Sequence, residues 1–339
     1  MSAASSVVVI IGAASEIGRE LAVVLRERAL AVETWRLYDD QPEDLTLAMD
    51  DVDEEIAPLA EVDCEGADLV FLCDHAARAA EWAAQAASAG ALVIDLTQSL
   101  AEAGDAPLIV PEINPDAVVA GLERGVLASP IPSATALAVV LKPIDAAAEL
   151  KRVVVTSLEP VSGAGRAGVE TLAQQTRDLL SGVTPDDGVF PQRIAFNLIP
   201  HAGDFVSGGR TRWEWLIESQ TRRLLDLPDL PIAVTSVWVP TFFGQACAVH
   251  VETERPFDAA AARQLLREAP GVLLAEEQGT DSYPTLADVV GSEATHVGRV
   301  RDDPTVPHGV ALWIAIDGLR KGAAVNAVQI AERALRERG

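Results

Sequence analysis

The chain has 339 residues, 49% of them hydrophobic, which predicts two ordinary domains or one very large one. Its 26 basic and 51 acidic side chains leave a formal charge of −25, a field that repels nucleic-acid phosphates and anionic membranes. No apolar run approaches membrane-span length, no secretory pattern opens the chain, and the three cysteines and five histidines lack metal-ligand spacing, so a cytoplasmic protein without metal, nucleic-acid or membrane partners is expected.

In chain order, SVVVIIGAAS (6–15) reads as a strand running into a turn, and 16–29 as a helix with Leu21, Val24 and Leu25 on one face. AVETWRLYDD (31–40) is a second strand. The acidic run Asp50, Asp51, Asp53, Glu54 and Glu55 reads as a solvated loop or helix face. ADLVFLCD (67–74) and GALVIDLT (90–97) are strands around an Ala-rich helix at 75–89, and APLIVPEINPD (106–116) is a short strand. Strands alternating with helices predict a parallel, doubly wound sheet.

Beyond a helix at 133–141 the pattern changes. KRVVVTSLEPVSG (151–163), LPIAVTSVWVPTFFGQACAVHVETE (230–254) and HGVALWIAI (308–316) are strand-type runs, with helices at about 166–181, 211–225 and 257–268. These predict an α+β domain with a largely antiparallel sheet. A long helix, 318–338, closes the chain.

The first strand ends in Gly12-Ala13-Ala14-Ser15-Glu16-Ile17-Gly18. Two glycines at such a strand–helix turn suit a dinucleotide's pyrophosphate, although the middle glycine place holds Ser15; an ordinary strand–helix turn explains the same residues. Asp39 and Asp40 close the second strand, where an acid can hold an unphosphorylated ribose or simply form an acidic loop. SPIPSATALAVVLKP (129–143) leads a loop into an apolar helix, a favourable setting for an anionic nucleophile, yet it holds no cysteine.

PLIVPEINPDA (107–117), VSGAGRAGVETL (161–172), FPQRIAFNLIPHAGDF (190–205), VGRVRDDP (297–304) and LRKGAAVNAVQIAE (319–332) follow one another in the order found in the aspartate-semialdehyde dehydrogenase family, which the chain resembles from about 7 to 336. The resemblance implies a Rossmann-like α/β domain over 1–130 with the C-terminal helix 318–339, and an α+β dimerisation domain over 131–317. It also implies NADP-dependent oxidation of an aldehyde through a cysteine thioester that phosphate resolves.

The residues for that chemistry are replaced. Set against the family's Asn-Pro-Asn-Cys-Ser-Thr and Leu-Lys-Pro motifs, the nucleophile place is Pro132 and the base place, a histidine in the family, is Gln245. Trp238 stands where an arginine grips the substrate carboxylate, Ala101 where another binds phosphate, Leu216 for a lysine, Glu159 for a glutamine, and His75-Ala76 for a Gly-Gly. The pattern is similar to the family's non-catalytic USG-type paralogues. Ser133 then reads as a structural or capping serine and His250 as structural, while Cys247, two residues beyond Gln245 and facing the same way on a strand, reads as a buried inert thiol or, alternatively, as a thiol pointing into the old site with new chemistry.

The expectation is a catalytically inactive homologue with a structural or regulatory role, as a homodimer or with an active relative. The alternatives are an NAD(P)-dependent oxidoreductase of altered chemistry and a nucleotide- or metabolite-sensing protein. No cofactor is required on this reading, with weak NAD(P) binding allowed at Gly12, Ala13, Ser15, Glu16, Ile17, Gly18 and Asp39, and NAD favoured over NADP. Ser162, Gly163, Glu214 and Trp238 are expected as a remnant of the substrate pocket.

Overall fold

A computed structural model describes residues 6–28, 30, 32–40, 46–49, 52–276 and 282–338. The chain divides into two units, 1–131 with 323–339, and 132–322.

In the first unit the apolar run forms β1 (Ser6–Ile11), in which Val8 to Ile11 are wholly buried. Gly12 turns the chain at φ +85°, and a Cβ there would lie 2.7 Å from the Asp74 amide nitrogen, so the turn requires glycine. Ser15 then caps α1 (Glu16–Glu27), whose Leu21, Val24 and Leu25 face the sheet core. The remaining strands are β2 (Val32–Asp39), β3 (Thr46–Met49), β4 (Val52–Pro58), β5 (Leu69–Leu72), β6 (Leu92–Asp95) and β7 (Val126–Ala128). They align in the order β3-β4-β2-β1-β5-β6-β7, parallel throughout except for the β3–β4 pair. The helices α2 (Ala79–Ser88), α3 (Ser99–Ala103), α4 (Ala117–Leu122) and the C-terminal helix Asn326–Arg338 belong to the same unit.

Several elements depart from the sequence reading. The described part of the acidic run, Asp53 to Glu55, lies in strand β4 rather than in a loop or helix, because Ile56 is buried against Leu37 of β2; Asp50 and Asp51 lie outside the described residues. Residues 106–116 form turns with one bridge, Leu108 to Ala128, and Asn114 Nδ2 donates to the Leu108 carbonyl. The strand of this region is β7. Helix α2 starts at Ala79, four residues after His75, which is left-handed at φ 62°. The closing helix begins as a π-helical stretch, Arg320–Val325.

The second unit opens with α5 (Pro132–Ala148), longer than the expected helix and running through Pro143. Its β8 (Leu150–Pro160), β9 (Ile232–Val239), β10 (Gln245–Thr253), β11 (Val272–Leu274), β12 (Thr295–Asp303) and β13 (Gly309–Ile316) align as β11-β12-β13-β10-β8-β9. Pairs β8–β9 and β11–β12 are parallel and the other three antiparallel. Alternation along β8 buries Val153, Val155, Ser157 and Glu159, and along β10 Gln245, Cys247, Val249 and Val251. Helices α6 (Gly165–Leu180), α7 (Arg212–Leu225) and α8 (Ala259–Glu268) complete the unit. Among the described residues no helix is long and apolar enough to cross a membrane.

Candidate functional site

In the second unit the site is built from the start of α5 and the facing ends of β8 and β10. Pro132 occupies the first helical turn, where its missing N–H leaves no intrahelical bond unmade. Residues 318–322 cover it closely: a Cβ on Gly322 would come 2.4 Å from the Pro132 Cβ, and one on Gly318 would come 3.0 Å from Gln245 Oε1.

The antiparallel register sets Cys247 opposite Ser157 and Ala246 opposite Leu158, which brings Gln245 across from Glu159. Gln245 Nε2 donates to Ser133 Oγ at 2.5 Å and also to Glu159 Oε2. Glu159 Oε1 accepts from Ser133 Oγ at 3.1 Å and from Ser157 Oγ. Cys247 Sγ donates to Ser157 Oγ at 3.7 Å. All five side chains are buried. The crevice bounded by Ser133, Gln245, Cys247, Ile314 and Ile316 is too narrow to hold a water molecule.

Burial away from water pushes the Glu159 carboxyl above its usual range, opposed by the hydrogen bonds it accepts. Burial, with the neighbouring Glu159, pushes the Cys247 thiol up to about 12. Ser133 therefore has a buried acid rather than a histidine beside it. Gln245 acts as a donor and takes no proton. The sequence reading named Glu159 only as a substitution. The pairing of two residues on one strand face, Ser157 and Glu159, with two on the next, Gln245 and Cys247, is the signal that ties them to Ser133.

The residues expected as a pocket remnant have partners within the fold. Trp238 lies in an apolar cluster with Val161, Phe190 and Ile199, edge-on to Phe190 at 5.4 Å, and a Cβ on Gly163 would touch its ring at 3.1 Å. Ser162 donates its amide to the Phe242 carbonyl. Glu214 Oε2 accepts from the Thr211 amide at 2.8 Å, completing a capping box for α7, and its Oε1 accepts from the Ser236 amide at 3.0 Å. Leu216 is a buried residue of α7.

In the first unit, the turn from β1 to α1 satisfies most of its own donors. The Gly12 and Ala13 amides bond the Tyr38 carbonyl, Ser15 Oγ donates to the Gly12 carbonyl at 2.6 Å, and the same oxygen accepts from the Gly18 amide at 3.0 Å. Glu16 and Ile17 form the first turn of α1, and a Cβ on Gly18 would strike the Gly12 carbonyl oxygen. Asp39, buried at the end of β2, accepts from the Ala14 amide at 2.8 Å through Oδ2. Its Oδ1 accepts from the Asp40 amide at 2.8 Å and from His75 Nε2 at 2.9 Å. The glycine places and the start of α1 fit a dinucleotide, and the acid and several of the turn amides meet internal partners in this fold. Asp39, Asp40 and His75 are also the one described trio whose ligand atoms lie within 4.8 Å of one another.

Residues 7–120 match the family described as semialdehyde dehydrogenase, NAD binding domain, and residues 141–321 match semialdehyde dehydrogenase, dimerisation domain. The chain is 37% identical to aspartate-semialdehyde dehydrogenase 2 of Vibrio cholerae over 97% of this chain and 98% of that protein. It is similar to the crystal structure of aspartate semialdehyde dehydrogenase II of Vibrio cholerae complexed with ASA, with a TM-score of 0.94 and 36% identity over 98% and 99% of the two chains. A probable aspartate-semialdehyde dehydrogenase of Pseudomonas aeruginosa gives a TM-score of 0.93 at 30% identity, over 99% of this chain and 100% of that one.

Proposed function

The chain belongs to the aspartate-semialdehyde dehydrogenase family, and from that premise we propose that it keeps the family's scaffold without its thiol-based reaction. It serves as a structural or regulatory protein, assembled as a homodimer through its second unit. The observation that carries this reading is Pro132 at the start of α5, packed under Gly318 and Gly322.

The family reaction needs a nucleophile that can become an anion and a base that can receive its proton. Pro132 supplies no nucleophilic atom. Gln245 directs its amide hydrogens at Ser133 and Glu159, and an amide accepts no proton near neutral pH. The nearest hydroxyl, Ser133, donates into a buried carboxylate, and no space beside it admits an aldehyde. Cys247 is held as a neutral thiol. No substrate anion finds a matched arginine at Trp238 or Ala101, which are both buried.

The test is oxidation of aspartate semialdehyde by the purified protein with phosphate and either NADP or NAD. The expected result is no cofactor reduction above a protein-free control. Turnover of about one per second that co-elutes with the protein would overturn the proposal, since that lies within the ordinary enzyme range.

A second reading, a nucleotide sensor without turnover, is favoured by the retained Gly12 and Gly18 turn. Thermal shift with NAD, NADP and adenosine nucleotides separates it from the first.

A further inference from the structure

We propose that His75 is an internal stand-in for a nucleotide ribose at Asp39, and that a ribose diol binds this turn only by displacing the imidazole. The inference goes beyond the proposed loss of turnover and does not depend on it. An acid at the end of the second strand of a dinucleotide fold accepts hydrogen bonds from the adenosine ribose. Asp39 holds that position, buried at the end of β2, with its Oδ2 fixed by the Ala14 amide. The lone pairs that remain on Oδ1 are met by the Asp40 amide and by His75 Nε2 at 2.9 Å. Because the carboxylate accepts, Nε2 carries the hydrogen, as a ribose hydroxyl would.

The imidazole is held where it is. His75 sits in the left-handed region at φ 62°, an unusual conformation for a residue with a Cβ, and its amide donates to Asp74 Oδ1 at 2.6 Å. Its ring meets the edge of the buried Trp82 at 6.3 Å between centroids. The Arg78 guanidinium lies 4.4 Å from the centroid of that same indole. A row of contacts thus runs from α2 through His75 and Asp39 to the turn before α1. The ring and the acid are both largely shielded, with 19% and 8% of their side chains exposed, so bulk water competes little for their bond. A bond of this kind to a charged acceptor, lost when a ligand binds, lowers apparent affinity by roughly ten- to a hundredfold.

The experiment measures NAD and NADP binding by calorimetry for the intact chain and for His75→Ala, His75→Gly and Asp39→Asn, all in EDTA so that the Asp39–Asp40–His75 trio holds no cation. His75→Gly removes the ring and suits the left-handed backbone, whereas His75→Ala removes the ring alone, so agreement between them separates displacement from relief of strain. Both should bind NAD at least tenfold more tightly than the wild type. NADP should gain less, because Asp39 repels its 2′-phosphate. Adding Asp39→Asn to His75→Ala should abolish most of the NAD gain. Folded variants that bind NAD no better than wild type would overturn the proposal, as would a gain that survives Asp39→Asn unchanged. The catalytic assay above can come out either way without altering this outcome.

Discussion

Cys247 stands directly across the β8–β10 ladder from Ser157, and its sulfur donates to that hydroxyl at 3.7 Å. The thiol is 2% exposed and held up at about 12. At pH 8 only about one molecule in ten thousand carries the thiolate, the species that reacts with disulfides and alkylating agents. Native protein should therefore leave Cys247 unlabelled by a disulfide reagent over hours, with full labelling after denaturation, as read by peptide mass spectrometry. Rapid native labelling of this residue would show the sheet face open to solvent.

The Glu159 carboxyl gives a pH signature. Burial raises its folded value above the unfolded one, so its stabilising contribution is present below the ordinary carboxylate range and is lost as pH rises through the folded value. Glu159→Gln removes this titration. The difference in melting temperature between the variant and wild type should move in favour of the variant as pH is raised from about 4 to 8. A difference that stays flat across that range would contradict the sign. Glu159→Ala, by contrast, leaves the Ser133 and Ser157 hydroxyls without the acceptor Glu159 supplies, while Gln245 keeps Ser133, and should destabilise by about 1–3 kcal/mol per orphaned group.

How much of this the sequence discloses depends on the distance over which residues meet. The turn after β1 was readable because apolar run, glycines and cap lie within thirteen residues, 6–18. That Pro132 opens a helix and Gln245 lies in a strand was readable from local pattern alone. The contact between Ser133 and Gln245 was not, since the two are 112 residues apart and meet only where α5 packs on the β8–β10 sheet face. His75 reaches Asp39 because β2 and β5 flank β1 on either side, an arrangement that no local pattern encodes. Strand β4 was hidden for another reason: Asp and Glu are poor strand formers, and pairing with β2 and β3 overrides that preference.

Glycine at 322 is a packing requirement of the second unit. Gly322→Ala places a methyl 2.4 Å from the Pro132 Cβ, and a helix start cannot shift as a side chain can. Chemical denaturation should show a loss of roughly 1–3 kcal/mol. Gly318→Ala should cost less, because its nearest neighbour at 3.0 Å is the Gln245 side-chain oxygen. Equal effects at both positions would argue against Pro132 as the rigid partner.

Glu214 should behave as a structural residue. Glu214→Ala removes the reciprocal cap on α7 and the acceptor of the Ser236 amide, for an expected loss of about 1–2 kcal/mol in unfolding free energy. NAD affinity should be unchanged. A selective loss of ligand binding with stability intact would return Glu214 to a binding role.

The first sheet ends, among the described residues, in β3 of four residues and β7 of three. Short outer strands offer another chain few unpaired backbone groups. Beside β3, strand β4 carries Asp53, Glu54 and Glu55 in succession, on a molecule of net charge −25. A second copy aligning itself to lengthen the sheet would gain only a few ladder bonds while bringing two carboxylate rows together. The acidity of this segment thus works as colloidal protection: it discourages open-ended sheet growth at high protein concentration, most strongly at low ionic strength.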